Sequence, residues 1–137
     1  MRTKTIEAGG VSVTLSESTI EMEIRRGYLA DDGIRAAEAR QGAIEAAAKS
    51  GQDIAVDDLD DPIIRMMRTF TWPTFTACVV SAVGVELPIT FEAFRAMPGP
   101  LLSEWADALY ELNPSWKPAE ADKEPPKADI PTTSAEG

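Results

Sequence analysis

The chain has 137 residues, the size of one domain, and 23 Asp and Glu against 13 Lys and Arg give a formal net charge of -10. That field repels phosphate backbones and anionic membranes, and no basic cluster denser than Arg25-Arg26 could override it locally, so nucleic acid and membrane partners are excluded. Histidine is absent and Cys78 is the only cysteine, which removes the usual general base, the commonest metal ligand and any internal disulfide.

Thr3 to Leu15 reads as a β-hairpin, with Ile6 and Ala8, then Val11, Val13 and Leu15, alternating on either side of Gly9-Gly10. Ser18 to about Ala30 carries two patterns. Ile20, Met22 and Ile24 alternate like a strand, whereas Ser18 to Glu21 has capping-box spacing and Ile20, Ile24 and Tyr28 share a helical face; helix is the favoured reading. Asp31-Asp32-Gly33 then marks a turn or a fresh helix start. Ile34 to Lys49, rich in Ala, Glu, Arg and Gln, predicts a helix with a small-residue face of Ala37, Ile44, Ala47 and Ala48, closed by Ser50-Gly51.

Gln52 to Asp61 is an acidic loop whose last residue is a good N-cap ahead of Pro62. A helix is predicted through about Phe70, with Ile63, Ile64, Met66, Met67 and Phe70 apolar and Pro73 interrupting. Phe75 to Val83 is expected as a buried helix ended by Gly84, with a core strand as the rival reading. Thr90 caps a short helix through Ala96. Pro100 opens an amphipathic helix carrying Leu101, Leu102, Trp105, Leu109 and Leu112 on one face and stopped by Asn113-Pro114. From Lys117 onward only Ile130 is a large apolar residue, which predicts disorder. The resulting expectation is a mainly α fold: a helical domain with an N-terminal β-hairpin over residues 1–116, and a disordered acidic, Pro-rich tail over residues 117–137.

Residues that could carry chemistry have plainer explanations. Asp53, Asp57, Asp58, Asp60 and Asp61 lack the glycine and distal Glu of a calcium loop and read as a solvated run whose last Asp caps a helix. Cys78 lies in apolar surroundings, as a structural thiol does. Glu104, Asp107 and Glu111 form a wet helix face. Met66, Met67 and Met97 read as core. No catalytic, metal or cofactor residue is assigned, and the chain is read as a non-enzyme. Its useful property is surface, with Trp72, Trp105 and Trp116 as candidate partner-binding anchors.

Several stretches together resemble the tail assembly chaperones of tailed, siphophage-type bacteriophages. They are Arg65-Met66-Met67-Arg68, Trp72-Pro73-Thr74-Phe75-Thr76-Ala77-Cys78-Val79, Thr90 to Pro98, and Leu102, Trp105, Ala108 and Leu109 leading to Leu112-Asn113-Pro114-Ser115-Trp116. The similarity extends over residues 1 to 116. It implies binding to the tape measure protein, recruitment of tail-tube subunits, scope for self-association, and a place in the host cytoplasm but not in the mature virion. It carries no catalytic residues. The alternative is a small acidic adaptor or inhibitor unrelated to tail assembly.

Overall fold

The computed structural model describes residues 1–118; the predicted tail lies, apart from Lys117 and Pro118, outside the described residues. Strands β1 (Thr3–Ala8) and β2 (Val11–Ser16) form the expected antiparallel hairpin. Gly9 and Gly10 turn it with φ of 58° and 85°, values that an L side chain adopts with strain. The hairpin is not alone. Residues 79–83 form a third strand, β3 (Val79–Val83), antiparallel to β2, in the order β1-β2-β3. The helix expected over Phe75 to Val83 therefore ends at Thr76, and the strand reading holds for the rest. Val79, Val80 and Val83 are β-branched, and β2 supplies the ladder that local sequence cannot reveal. Gly84, at φ 85°, ends the strand where a Cβ would meet the Gly10 carbonyl oxygen at 2.5 Å.

The register gives the sheet one dry face and one wet face. Ile6 pairs with Val13, and Val13 with Ala82, on the side that α5 (Pro100–Leu112) covers. The other side carries the Thr5–Thr14 pair, hydroxyls 2.8 Å apart, and Ser81 opposite Thr14. Between Thr14 and Leu15 the register slips, leaving Val80 as the extra residue of a β-bulge.

Helix α1 (Ile20–Lys49) is one continuous rod of 30 residues, about 45 Å long, with no break at Asp31-Asp32-Gly33. Thr19, not Ser18, caps it by accepting from the Met22 N–H. The expected turn residues do other work. Asp31 pairs with Arg35 one turn on, and Asp32 accepts from Arg68 at 2.6 Å. Gly33 is buried, and a Cβ there would lie 2.6 Å from the Arg68 carbonyl oxygen. The glycine serves a close helix crossing, not a turn. Met22, Leu29 and Gly33 thus set the inward row of α1, and Ile20, Ile24 and Tyr28 point outwards, 81%, 48% and 74% exposed.

The crossing partner is a second helical run over residues 62–76. Asp61 caps α2 (Pro62–Met66), a π turn follows over Met67–Thr71, and α3 (Trp72–Thr76) continues it. Pro73 does not interrupt this run. The widened turn, in which the Trp72 N–H reaches the Met67 oxygen, accommodates a proline that has no N–H to offer Arg68. Thr69 Oγ1 also bonds back to the Arg65 oxygen at 2.9 Å, a contact that bends helices. At its start the run packs on the turn over residues 58–60 and stands off α1, so Met66, expected in the core, and the apolar Ile63 are more than half exposed, and Phe70 is also exposed.

The core lies between this run, the sheet, α4 (Phe91–Arg95) and α5. Phe75 is central, with ring centroids 6.1 Å from Phe94, 5.9 Å from Trp105 and 6.4 Å from Tyr110. On α5 the buried residues are Leu101, Trp105, Ala108, Leu109 and Leu112, and Leu102 turns outwards. Asn113 ends α5 inside the protein. Its amide donates to the Ser16 oxygen at 3.2 Å, and its oxygen accepts from the Ser18 N–H at 2.7 Å. No described helix is long and apolar enough to cross a membrane.

The crossing yields a direct test. Gly33→Ala, despite its better helix propensity, should lose about 1–3 kcal/mol because the new methyl meets fixed backbone. Gly27→Ala, in open space on the same helix, should gain up to about 1 kcal/mol. Urea titration of both variants measures the contrast, and equal shifts in midpoint would discard the crossing.

A candidate protein-docking groove

The three tryptophans expected as anchors are all interior: Trp72 is 7% exposed, Trp105 1% and Trp116 4%. Each indole N–H is spent on an internal acceptor, as burial demands. Trp105 Nε1 donates to the Phe75 oxygen at 2.9 Å and Trp72 Nε1 to the Ile89 oxygen at 3.0 Å. Trp116 Nε1 reaches a Glu23 carboxylate oxygen at 3.0 Å, and the Arg26 guanidinium lies 4.3 Å from the ring centroid. As exposed anchors the three fail; as struts they join α3 to α5, α3 to the loop before α4, and the turn after α5 to α1.

The carboxylates serve structure in the same way. Asp57 caps the short 3-10 turn over Asp58–Asp60, Asp58 pairs with Arg95 at 2.8 Å, and Asp61 caps α2. Asp60 accepts two bonds from Arg40, both 2.9 Å, which with the Asp57 N–H hold its pKa down to about 2. Bonding to Arg2 lowers Glu17, and bonding to Lys4 lowers Glu111. These shifts keep the carboxylates ionised, the opposite of what a general acid needs. Cys78 is fully buried, and desolvation, with a smaller contribution from Glu23, pushes its thiol up to about 11.

What the chain presents outwardly is a groove of about 760 Å³ beside α1. Met22, Arg25 and Leu29 form one wall, spaced over two turns of α1. Trp72 and Thr76 of α3 and Val79 of β3 form the floor. The opposite wall is the bulged Val80 with the loop from Leu87 to Thr90. Leu87 is 48% exposed and Val80 45%. Arg25 is the cation at the groove, and its guanidinium donates to the Ala77 oxygen at 3.1 Å, tying α1 to the floor. A shallower apolar face, including Ile34, Pro62 and Met66, lies further along α1.

Trp72 alone of the predicted anchors touches this groove, from beneath. Val80 and Leu87 were missed by sequence reasoning, because their exposure follows from the bulge and from the loop that Trp72 holds at Ile89. Their only sequence signal was large apolar character, with Gly84 four residues after Val80 and Pro88 directly after Leu87. Compared with protein-family models, curated proteins and solved structures, the chain matches none.

Two measurements separate strut from surface. Trp105→Ala should cost about 3–5 kcal/mol, enough to unfold much of the population, as read by near-UV circular dichroism and denaturant midpoint. The Cys78 thiol should stay inert to a thiol-specific reagent near neutral pH until denaturant is added. Its raised pKa contributes stability that is intact below about 9 and lost as pH climbs towards 11. Rapid labelling of the native protein at neutral pH would contradict the burial.

Proposed function

We propose that this protein is a tail assembly chaperone of the tailed-phage type. It binds the tape measure protein, keeps it dispersed before assembly, and helps recruit tail-tube subunits. It acts in the host cytoplasm and stays out of the mature virion. The observation that carries the reading is an open apolar groove on a chain of formal net charge -10. The likeness of residues 65–68, 72–79, 90–98 and 112–116, with Leu102, Trp105, Ala108 and Leu109, to such chaperones is its second support.

The physical case is a division of labour on one surface. A tape measure is a long helical chain with apolar stripes that aggregate when left uncovered. Val80 and Leu87 offer those stripes an apolar seat, and the surplus of carboxylates keeps the complex dispersed by mutual repulsion. A seat of a few side chains binds modestly, so the chaperone releases its client when tail-tube subunits arrive. Several copies along one client supply avidity without a tight single site.

Co-expression with its cognate tape measure protein is the test. The expected result is a client that moves from the insoluble to the soluble fraction and elutes with the chaperone in size-exclusion chromatography. A client that stays insoluble, with no shared elution peak, would refute the proposal.

A further inference from the structure

We propose that the groove between α1 and the Leu87–Thr90 loop takes about two turns of a partner α-helix whose apolar face is flanked by Lys or Arg. The inference deepens the reading of the chain as a protein-binding chaperone and rests on it. The Met22–Leu29 wall spans seven residues, about 10 Å along α1, which matches an apolar i, i+3/i+4, i+7 row on an incoming helix. Thr76, Val79 and Val80 give that row a floor with few polar demands.

An extended segment pairing with β3 is the competing occupant. The bulge at Val80 argues against it. A strand added there would meet a ladder out of register at the groove itself, and bulged edges resist strand addition. A helix satisfies its own backbone and needs only the apolar seat.

Charge decides what flanks the occupant's apolar face. Glu21 adjoins Met22, Glu86 adjoins Leu87, and Glu92 lies two residues beyond Thr90; all three are exposed. None of them forms an ion pair among the described residues. Arg25 is committed to the Ala77 oxygen, and one cation does not offset three carboxylates. The rims therefore favour a cationic flank.

The experiment uses the full chain and two labelled amphipathic peptides of about 18 residues, long enough to be helical, one of Leu and Lys and one of Leu and Glu. Fluorescence anisotropy should show saturable binding of the Leu/Lys peptide, weakened by salt, and at least about tenfold weaker binding of the Leu/Glu peptide. Leu87→Asp should weaken the Leu/Lys peptide about tenfold or more. Val80→Asp gives the same readout from β3 should Leu87→Asp prove unstable by circular dichroism. Glu21→Lys with Glu86→Lys should weaken it about threefold or more, and Glu104→Lys with Asp107→Lys, on the exposed face of α5, should leave it unchanged.

Equal binding of both peptides, or binding indifferent to Leu87→Asp and Val80→Asp, would overturn the assignment. So would a dimer by sedimentation that Leu87→Asp dissolves, since the groove would then belong to a second copy. The chaperone reading fails separately. If Leu87→Asp still keeps the tape measure soluble, the function stands and the groove is the wrong surface. If the unaltered protein binds the Leu/Lys peptide but never rescues the tape measure, the groove stands and the function falls.

Discussion

The backbone contact between Gly33 and Arg68 governs the arrangement of the described residues. A Cβ at position 33 would sit 2.6 Å from the Arg68 oxygen and 3.2 Å from the Thr69 Cα, so the two helices approach as closely as backbone allows. Pro73 shapes the other half of the crossing. In a π turn, residue 73 would donate to the residue 68 carbonyl, and proline cannot, which leaves that carbonyl facing the glycine. Asp32 and Arg68 then lock the crossing at its edge. The Arg68 guanidinium lies 4.8 Å from the Trp72 centroid and 5.7 Å from that of Phe91, so cation–π attraction offsets part of the cost of its unpartnered Nη1.

From that crossing the rest follows in sequence. The run over residues 62–76 crosses α1 there, and beyond the crossing Trp72, Phe75 and Thr76 are buried. Phe75 then gathers α4 and α5 around its ring, and its carbonyl takes the Trp105 N–H. Two residues past the end of α3 the chain enters β3, so the sheet edge lies beside the same end of α1. The groove is the space left when α1, pinned at its middle by Gly33 and near its start by Trp116, stands off from that edge. It is a consequence of where the helices cross and needs no residue dedicated to making it.

What was legible in the sequence was local. The Gly9-Gly10 turn, the Asp61-Pro62 and Thr90 caps, and the α5 face with its Asn113-Pro114 stop all depend on residues within a few positions of one another. What was illegible depended on partners far along the chain. Gly33 looks like a turn until Arg68, 35 positions on, is opposite it. Val79–Val83 looks helical or strand-like until β2 provides a ladder. Ile20, Ile24 and Tyr28 make a tidy helical row, yet the inward row is Met22, Leu29 and Gly33, because packing on a glycine outranks apolar periodicity. Tryptophan was the least informative signal for the site, since the same size that suits a binding anchor suits a buried strut, and here all three N–H groups found internal partners.

The exposed apolar residues remain to be reconciled with a strongly charged chain. Ile20, Ile24, Tyr28, Val80 and Leu87 are a burden on an isolated monomer, where each favours association with whatever apolar surface it meets. The net charge of -10 restrains that tendency between copies of the chain, because every encounter of two copies brings like charge together. It does not restrain a partner of opposite or neutral charge. Charge therefore acts as a filter on top of an indiscriminate apolar attraction, favouring hetero-association over self-association without any shape-specific recognition.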